Sequence, residues 1–130
     1  MIVDSSALLA ILREEREALE FIQAIGSAPI CRISAGTLLE TMIVADARAD
    51  AFAGRKLEDF VQTARMLVES VTEEHARIGR AAYRDFGRGS GHPPQLNFGD
   101  CFAYALAKTT GEALLFKGND FGETDVRAAI

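Results

Sequence analysis

Four carboxylates in this chain sit where an acid needs an explanation: Asp4, Glu40, Asp100 and Asp120. Asp4 directly follows the apolar Met1-Ile2-Val3, and Asp120 lies just past the run Ala113-Leu114-Leu115-Phe116. Asp100 stands at the head of the small and apolar CFAYALA segment, and Glu40 is the lone acid in the middle of GTLLETMIVA. Carboxylates gathered together repel, which makes sense mainly where hard divalent cations hold them. Mg²⁺ and Mn²⁺ prefer oxygen ligands and bridge well to phosphate oxygens. The chemistry that suits such a set is in-line attack of water on a phosphodiester, with metal activating the water and holding the leaving oxygen.

The elements that would position these acids are legible in outline. Asn97 is placed to cap a buried helix that carries Asp100 in its first turn, where free amides and the dipole favour a carboxylate. Thr109-Thr110-Gly111 ends that helix at a glycine. Ala113–Phe116 reads as a strand covered on both faces. Lys117-Gly118-Asn119-Asp120 leaves it at the C-terminal end, where open α/β sheets place their ligands. Met1–Val3 is a second such strand, and Ser5–Leu12 a helix with Asp4 at or beside its N-cap. Asp4 alone would read as that cap; a second Asp at the end of another strand turns the reading towards a site.

Between these ends, Glu14 to Ile25 has helical spacing, with Glu14, Glu15, Glu17 and Glu20 outward. Gly26-Ser27 breaks it, and Ala28 to Ile33 is a strand containing Cys31. Ser34 caps a helix from Ala35 to about Ala49 that is apolar almost all round, so Glu40 is costly there unless paired, protonated or bound to metal. An internal Glu40–Arg pair is the ordinary alternative. Ala49 to Gly54 is a small-residue linker, Arg55 to Glu69 a further amphipathic helix, and Val71 a brief strand. Thr72-Glu73-Glu74-His75 resembles a capping box opening a helix to Phe86. Arg77, Arg80, Arg84 and Arg88 recur along it; such a stripe is usually a solvated face and could also meet phosphates. Gly87 to Gln95 is a loop expected at the rim of the site, and Val126 to Ile130 a last short strand.

Length and composition fit one domain, residues 1–130, with a real core: 48% of residues are hydrophobic. No apolar run reaches the ~20 residues of a membrane span, no signal-peptide order opens the chain, and a reducing cytoplasm is the expected compartment. Cys31 and Cys101, far apart in apolar segments, make neither a disulfide framework nor a zinc site. A net charge of −5 argues against nonspecific coating of nucleic acid. Setting the four acids aside as metal ligands leaves 15 acidic against 14 basic residues, close to neutral.

IVDSSALLAIL, SAGTLLETMIVADAR, NFGDCFAYALA and LLFKGNDF…TDV, in this order along the whole chain, resemble PIN-domain ribonucleases, most closely the VapC-type toxins of toxin–antitoxin modules. The resemblance implies a three-layer α/β/α Rossmann-like fold with a short, mainly parallel sheet. It implies an Mg²⁺- or Mn²⁺-dependent endoribonuclease acting on tRNA or rRNA, a homodimer, held inactive by a VapB-type antitoxin. The family's acidic quartet falls on Asp4, Glu40, Asp100 and Asp120, and its hydroxyl residue on Ser6. Asp4 and Asp100 would hold the principal ion, with Glu40, Asp120 and Ser6 supporting. Asp125 matches a frequently acidic position.

Three rivals remain to be weighed. A phosphatase with an aspartyl nucleophile after strand one needs a second Asp two residues on, where this chain has Ser6. A cysteine hydrolase would use Cys101 with His75 or His92, yet Cys101 sits in an apolar helix as buried free cysteines ordinarily do. A PIN-like RNA-binding module without nuclease activity is opposed by the complete acidic quartet. The tyrosines and the eight phenylalanines are expected in the core rather than as base-stacking platforms.

Overall fold

The structure, a computed structural model, describes residues 1–47, 50 and 52–130. Its four strands are short and all parallel: β1 (Ile2–Val3), β2 (Arg32–Ser34), β3 (Leu67–Glu69) and β4 (Leu114–Leu115), in the order β3-β2-β1-β4. Ile2 is paired with Arg32 on one side and Leu114 on the other. The chain therefore builds outward from β1 through β2 to β3, then returns to lay β4 on the opposite side of β1. A reversal of this kind opens a crevice at the carboxyl ends of the strands beside it.

Six helices are described: α1 (Ser5–Leu12), α2 (Ala18–Ser27), α3 (Ala35–Asp46), α4 (Ala53–Thr63), α5 (Glu73–Phe86) and α6 (Asp100–Thr110). The pleat divides them into two layers, because successive strand residues point to opposite faces. Val3, Ile33 and Leu115 enter one core with Leu8 of α1, Phe21 of α2, Ala45 of α3 and Leu57 of α4. Their neighbours Ile2 and Leu114 enter a second core with Ala82 of α5, Ala103 and Leu106 of α6, and Phe121. The result is the three-layer α/β/α arrangement.

Several boundaries differ from the sequence reading. Glu14 has a left-handed φ of 54°, so α2 begins only at Ala18, and it runs through Gly26 to Ser27. The strand expected from Ala28 is reduced to Arg32–Ser34. The helix from Arg55 stops at Thr63 because Arg65 takes a φ of 51°; Leu67 and Val68, which fit its spacing, instead pair with β2, and Val71 is outside any strand. The final strand shrinks to one parallel bridge between Leu114 and Ala128. The linker expected at 49–54 lies partly outside the described residues, and Gly54 itself belongs to α4. Among the described residues no helix is long and apolar enough to cross a membrane.

Helix α3 is not apolar-buried all round. Its buried face is Thr37, Thr41 and Ala45, whereas Leu39 and Ile43 are exposed. Tyr104, Phe21 and Phe121 are core as expected, but Phe98, Phe52 and Tyr83 are exposed. Of the four arginines of the stripe, two are paired on α5 itself, Arg77 with Glu73 and Arg84 with Asp85, and Arg88 lies beyond the helix end.

Candidate active site

Asp4 is 1% exposed at the exit of β1, and its carboxylate is held in two ways. Oδ2 accepts hydrogen bonds from the Ser6 amide (2.9 Å) and the Ser6 hydroxyl (2.6 Å), which makes Asp4 the N-cap of α1. Oδ1 is buried and has no hydrogen-bond partner. The Ser6 hydroxyl also accepts from the Lys117 amide at 2.9 Å, tying the loop after β4 to the loop after β1. Burial pushes the Asp4 carboxyl up; the Ser6 hydrogen bonds oppose this and the charge of Asp120 adds to it.

Asp100 is held by a reciprocal exchange with Asn97. The Asn97 side-chain oxygen accepts from the Asp100 amide (3.0 Å), and Asp100 Oδ2 accepts from the Asn97 amide (2.8 Å). This is the logic of a capping box with aspartate in the returning role. The residue directly before α6 is Gly99, which has no side-chain cap; Asn97, expected as the N-cap, serves the helix start from two residues further back, through the Asp100 amide. Burial pushes the Asp100 carboxyl up to about 7, against the pull of the Asn97 amide and helped by Asp4, Asp120 and Glu40.

Glu40 reaches this point from α3. Its carboxyl is also pushed up by burial, against the influence of Ser5 and with that of Asp4, and its Oε2 is buried without a partner. Among the described residues it has no arginine partner, so the internal ion pair is not the arrangement adopted. Its carboxylate lies over the Cα of Gly99, where a side-chain carbon would collide with it. Gly99 has ordinary helical angles, so Gly99→Ala should fold and melt close to the wild type while expelling the flexible end of Glu40. We expect RNA cleavage to fall about tenfold or more in a metal-saturated assay. Unchanged cleavage would remove Glu40 from the site.

Asp120 is exposed on the turn after β4. With Asp4, Ser6, Asn97, Asp100 and Lys117 it lines a cleft of about 450 Å³ at the β1–β4 switch point. A hollow of about 500 Å³ elsewhere, around Ile22, Ile25 and Phe60, is mainly apolar and has no carboxylate in its wall. The loop 87–95 is not part of the acidic cleft, which takes up the chain only at Asn97. Asp125 is also elsewhere: it accepts from the Tyr104 hydroxyl (2.5 Å) and pairs with Lys108 (2.8 Å), fastening the C-terminal segment to α6.

The donor set suits a hard cation. All its atoms are oxygens, two are buried without partners, and three carboxyls are held above their usual range. Among the described residues no three His, Cys, Asp or Glu side chains are grouped so as to hold an ion by themselves. The cysteine route has no support, because burial pushes the Cys101 thiol up to about 11, the wrong direction for a nucleophile, and His75 contacts Thr109 instead.

Sequence reasoning missed the other charges at the cleft: Arg13, Glu15 and Lys117. Glu15 was read as the outer face of a helix, and only the backward turn at Glu14 brings it here.

A family model described as PIN domain matches residues 1–127. Ribonuclease VapC28 of Mycobacterium tuberculosis is 52% identical over 130 residues, covering 100% of this chain and 98% of the relative. The crystal structure of Mycobacterium tuberculosis VapC20, described as a sarcin–ricin loop cleaving toxin, shares the fold with a TM-score of 0.74 at 19% identity, covering 96% and 95% of the two chains. A toxin–antitoxin complex from Klebsiella pneumoniae gives 0.70 at 18% identity, covering 95% and 92%. The chain belongs to the PIN-domain family and, within it, to the VapC ribonucleases.

Proposed function

We propose that this chain is a VapC-type toxin: one PIN domain acting in the cytoplasm as an endoribonuclease on tRNA or rRNA, with Mg²⁺ or Mn²⁺ as its working ion. The observation that carries the reading is that Asp4, Asp100 and Asp120 line one cleft at the β1–β4 switch point, with Glu40 near enough to raise the Asp100 carboxyl and with Asp4 and Glu40 each keeping an orphaned buried oxygen. A bound divalent ion supplies the charge that activates water and offsets the negative charge gathering on the phosphodiester.

The protein's own groups then divide the work. Asp4 and Asp100 would hold the ion, each with one carboxylate oxygen already fixed by its loop. Ser6 positions Asp4 and keeps the β4 loop at hydrogen-bond distance. Glu40 and Asp120 support the ion or orient water. To hold an ion the raised carboxyls would have to give up their protons, so cleavage should gain as pH rises through neutrality.

By the same reading the partner is a VapB-type antitoxin and the toxin is a homodimer; the fold shared with the Klebsiella complex supports the first. The test is cleavage of a mixed tRNA and rRNA pool with Mn²⁺ and with EDTA. We expect discrete fragments in Mn²⁺ and none in EDTA. Intact RNA in Mn²⁺, or equal cleavage in EDTA, would overturn the reading.

A further inference from the structure

The acidic cleft also carries two cations, and both are engaged. Arg13 and Lys117 line it. Lys117 Nζ is paired with Glu15 and lies 3.2 Å from Glu17 Oε2; Arg13 lies 3.7 Å from Glu15. The glutamates belong to the connection between α1 and α2, turned back by the left-handed Glu14 and anchored by the Glu15 amide on the Ala10 carbonyl (3.0 Å).

The two ends of this contact differ in what can move. The Lys117 backbone is pinned, because its amide donates to Ser6 Oγ, which in turn donates to Asp4. Its ammonium, on a flexible four-carbon stem, can swing without disturbing the acids. The grip on it is partial: the Lys117 side chain is 37% exposed, and Glu17 Oε2 is buried with no hydrogen bond of acceptable geometry. A pair of this exposure is weak enough to exchange partners.

An RNA phosphate entering beside Asp4, Asp100 and Asp120 meets a field of its own sign, and only Arg13 and Lys117 in the described cleft wall offer it positive N–H donors. We propose, resting on the nuclease reading above, that Lys117 is a substrate-binding residue for an RNA backbone phosphate, and that Glu15 and Glu17 occupy that phosphate's place until RNA displaces them. The exchange replaces one lysine–anion pair with another, so little charge is left uncompensated. Glu15 and Glu17 thereby compete with substrate, while Lys117 attracts it.

Opposite signs distinguish this from a simple tether between two loops. The test uses the full chain with saturating Mn²⁺ and a labelled RNA oligonucleotide that the wild type cleaves. Lys117→Met should raise KM about tenfold, with the larger share of the change in KM rather than kcat. Lys117→Arg should recover most of it. The double variant Glu15→Gln/Glu17→Gln should lower KM severalfold, although it loses the same contact and melts no higher. The salt dependence of binding should flatten by about 0.7 in Lys117→Met, the loss of one contact to a single strand.

A KM that rises in the glutamine variant as it does in Lys117→Met, or that moves in neither, would make the contact a tether and overturn the proposal. Should the glutamine variant not fold, Lys117→Met and Lys117→Arg decide alone: equal KM values overturn it. A wild type that cleaves nothing in Mn²⁺ would sink the nuclease reading itself, and this proposal with it.

Discussion

Asp4→Asn and Asp100→Asn should each reduce RNA cleavage by about a thousandfold or more while leaving the fold in place. The two effects separate because the carboxylates do two jobs. As hydrogen-bond acceptors they hold loops: Asp4 accepts from Ser6, and Asp100 accepts from Asn97. An asparagine side-chain oxygen can accept in the same place, and Asn is as good an N-cap as Asp. As anions they face the cleft, and an amide cannot supply the charge a hard cation requires. The measurement is single-turnover cleavage in Mn²⁺ beside circular dichroism of each variant. If both folded variants cleave at the wild-type rate, the metal-site assignment is wrong.

The parts of this site that were legible in the sequence are those governed by short-range rules. An apolar run followed at once by an acid marks the exit of a buried strand, and β1 with Asp4 follows that rule. Asn97 and Asp100, three residues apart before an apolar segment, announce a helix start, and the structure adds that the exchange runs both ways. Gly111 closes α6 with a φ of 70°. Each of these is decided by neighbours within a turn or two.

What was illegible depends on distant partners. Leu67 and Val68 fit the helical period of α4, yet β2 had an unpaired edge, and the backbone turns at Arg65 to fill it. Leu39 and Ile43 look like core from their own helix, but the sheet claims Thr37, Thr41 and Ala45, so they remain outside. The surroundings of Glu40 could not be read either, since Gly99 comes from 59 positions further along the chain to lie under its carboxylate. Lys117 is the sharpest case. Its type and position were in plain view, but its partners depend on a left-handed residue at Glu14 that no local rule demands.

A cluster of raised carboxyls also makes the ion-free protein unstable in a particular pH range. The Asp100 carboxyl, moved from 3.8 to about 7, binds its proton more tightly in the folded chain than in the unfolded one. Well below the unfolded value of 3.8 both states hold that proton, so Asp100 contributes no penalty. Between pH 4 and 7 the unfolded chain gains by ionising and the folded chain does not, so stability falls as pH rises. The full penalty, on the order of 4 kcal/mol, stands above pH 7. Asp4 and Glu40 act in the same direction. Paired carboxylates such as Glu15 and Asp125 are lowered and give the opposite slope, so the variant must be compared with the wild type at each pH. In EDTA at pH 8, Asp100→Asn should therefore melt at least about 5 °C above the wild type, and the difference should shrink to a small fraction of that near pH 4. Mn²⁺ at a hundredfold excess over its dissociation constant should stabilise the wild type by about 2.7 kcal/mol and Asp100→Asn by much less. Thermal melts of both proteins at pH 4, 6 and 8, with EDTA and with Mn²⁺, test these points together. An Asp100→Asn protein less stable than the wild type at pH 8 in EDTA would mean that its charge is compensated within the fold, and that the cluster needs no ion to hold it.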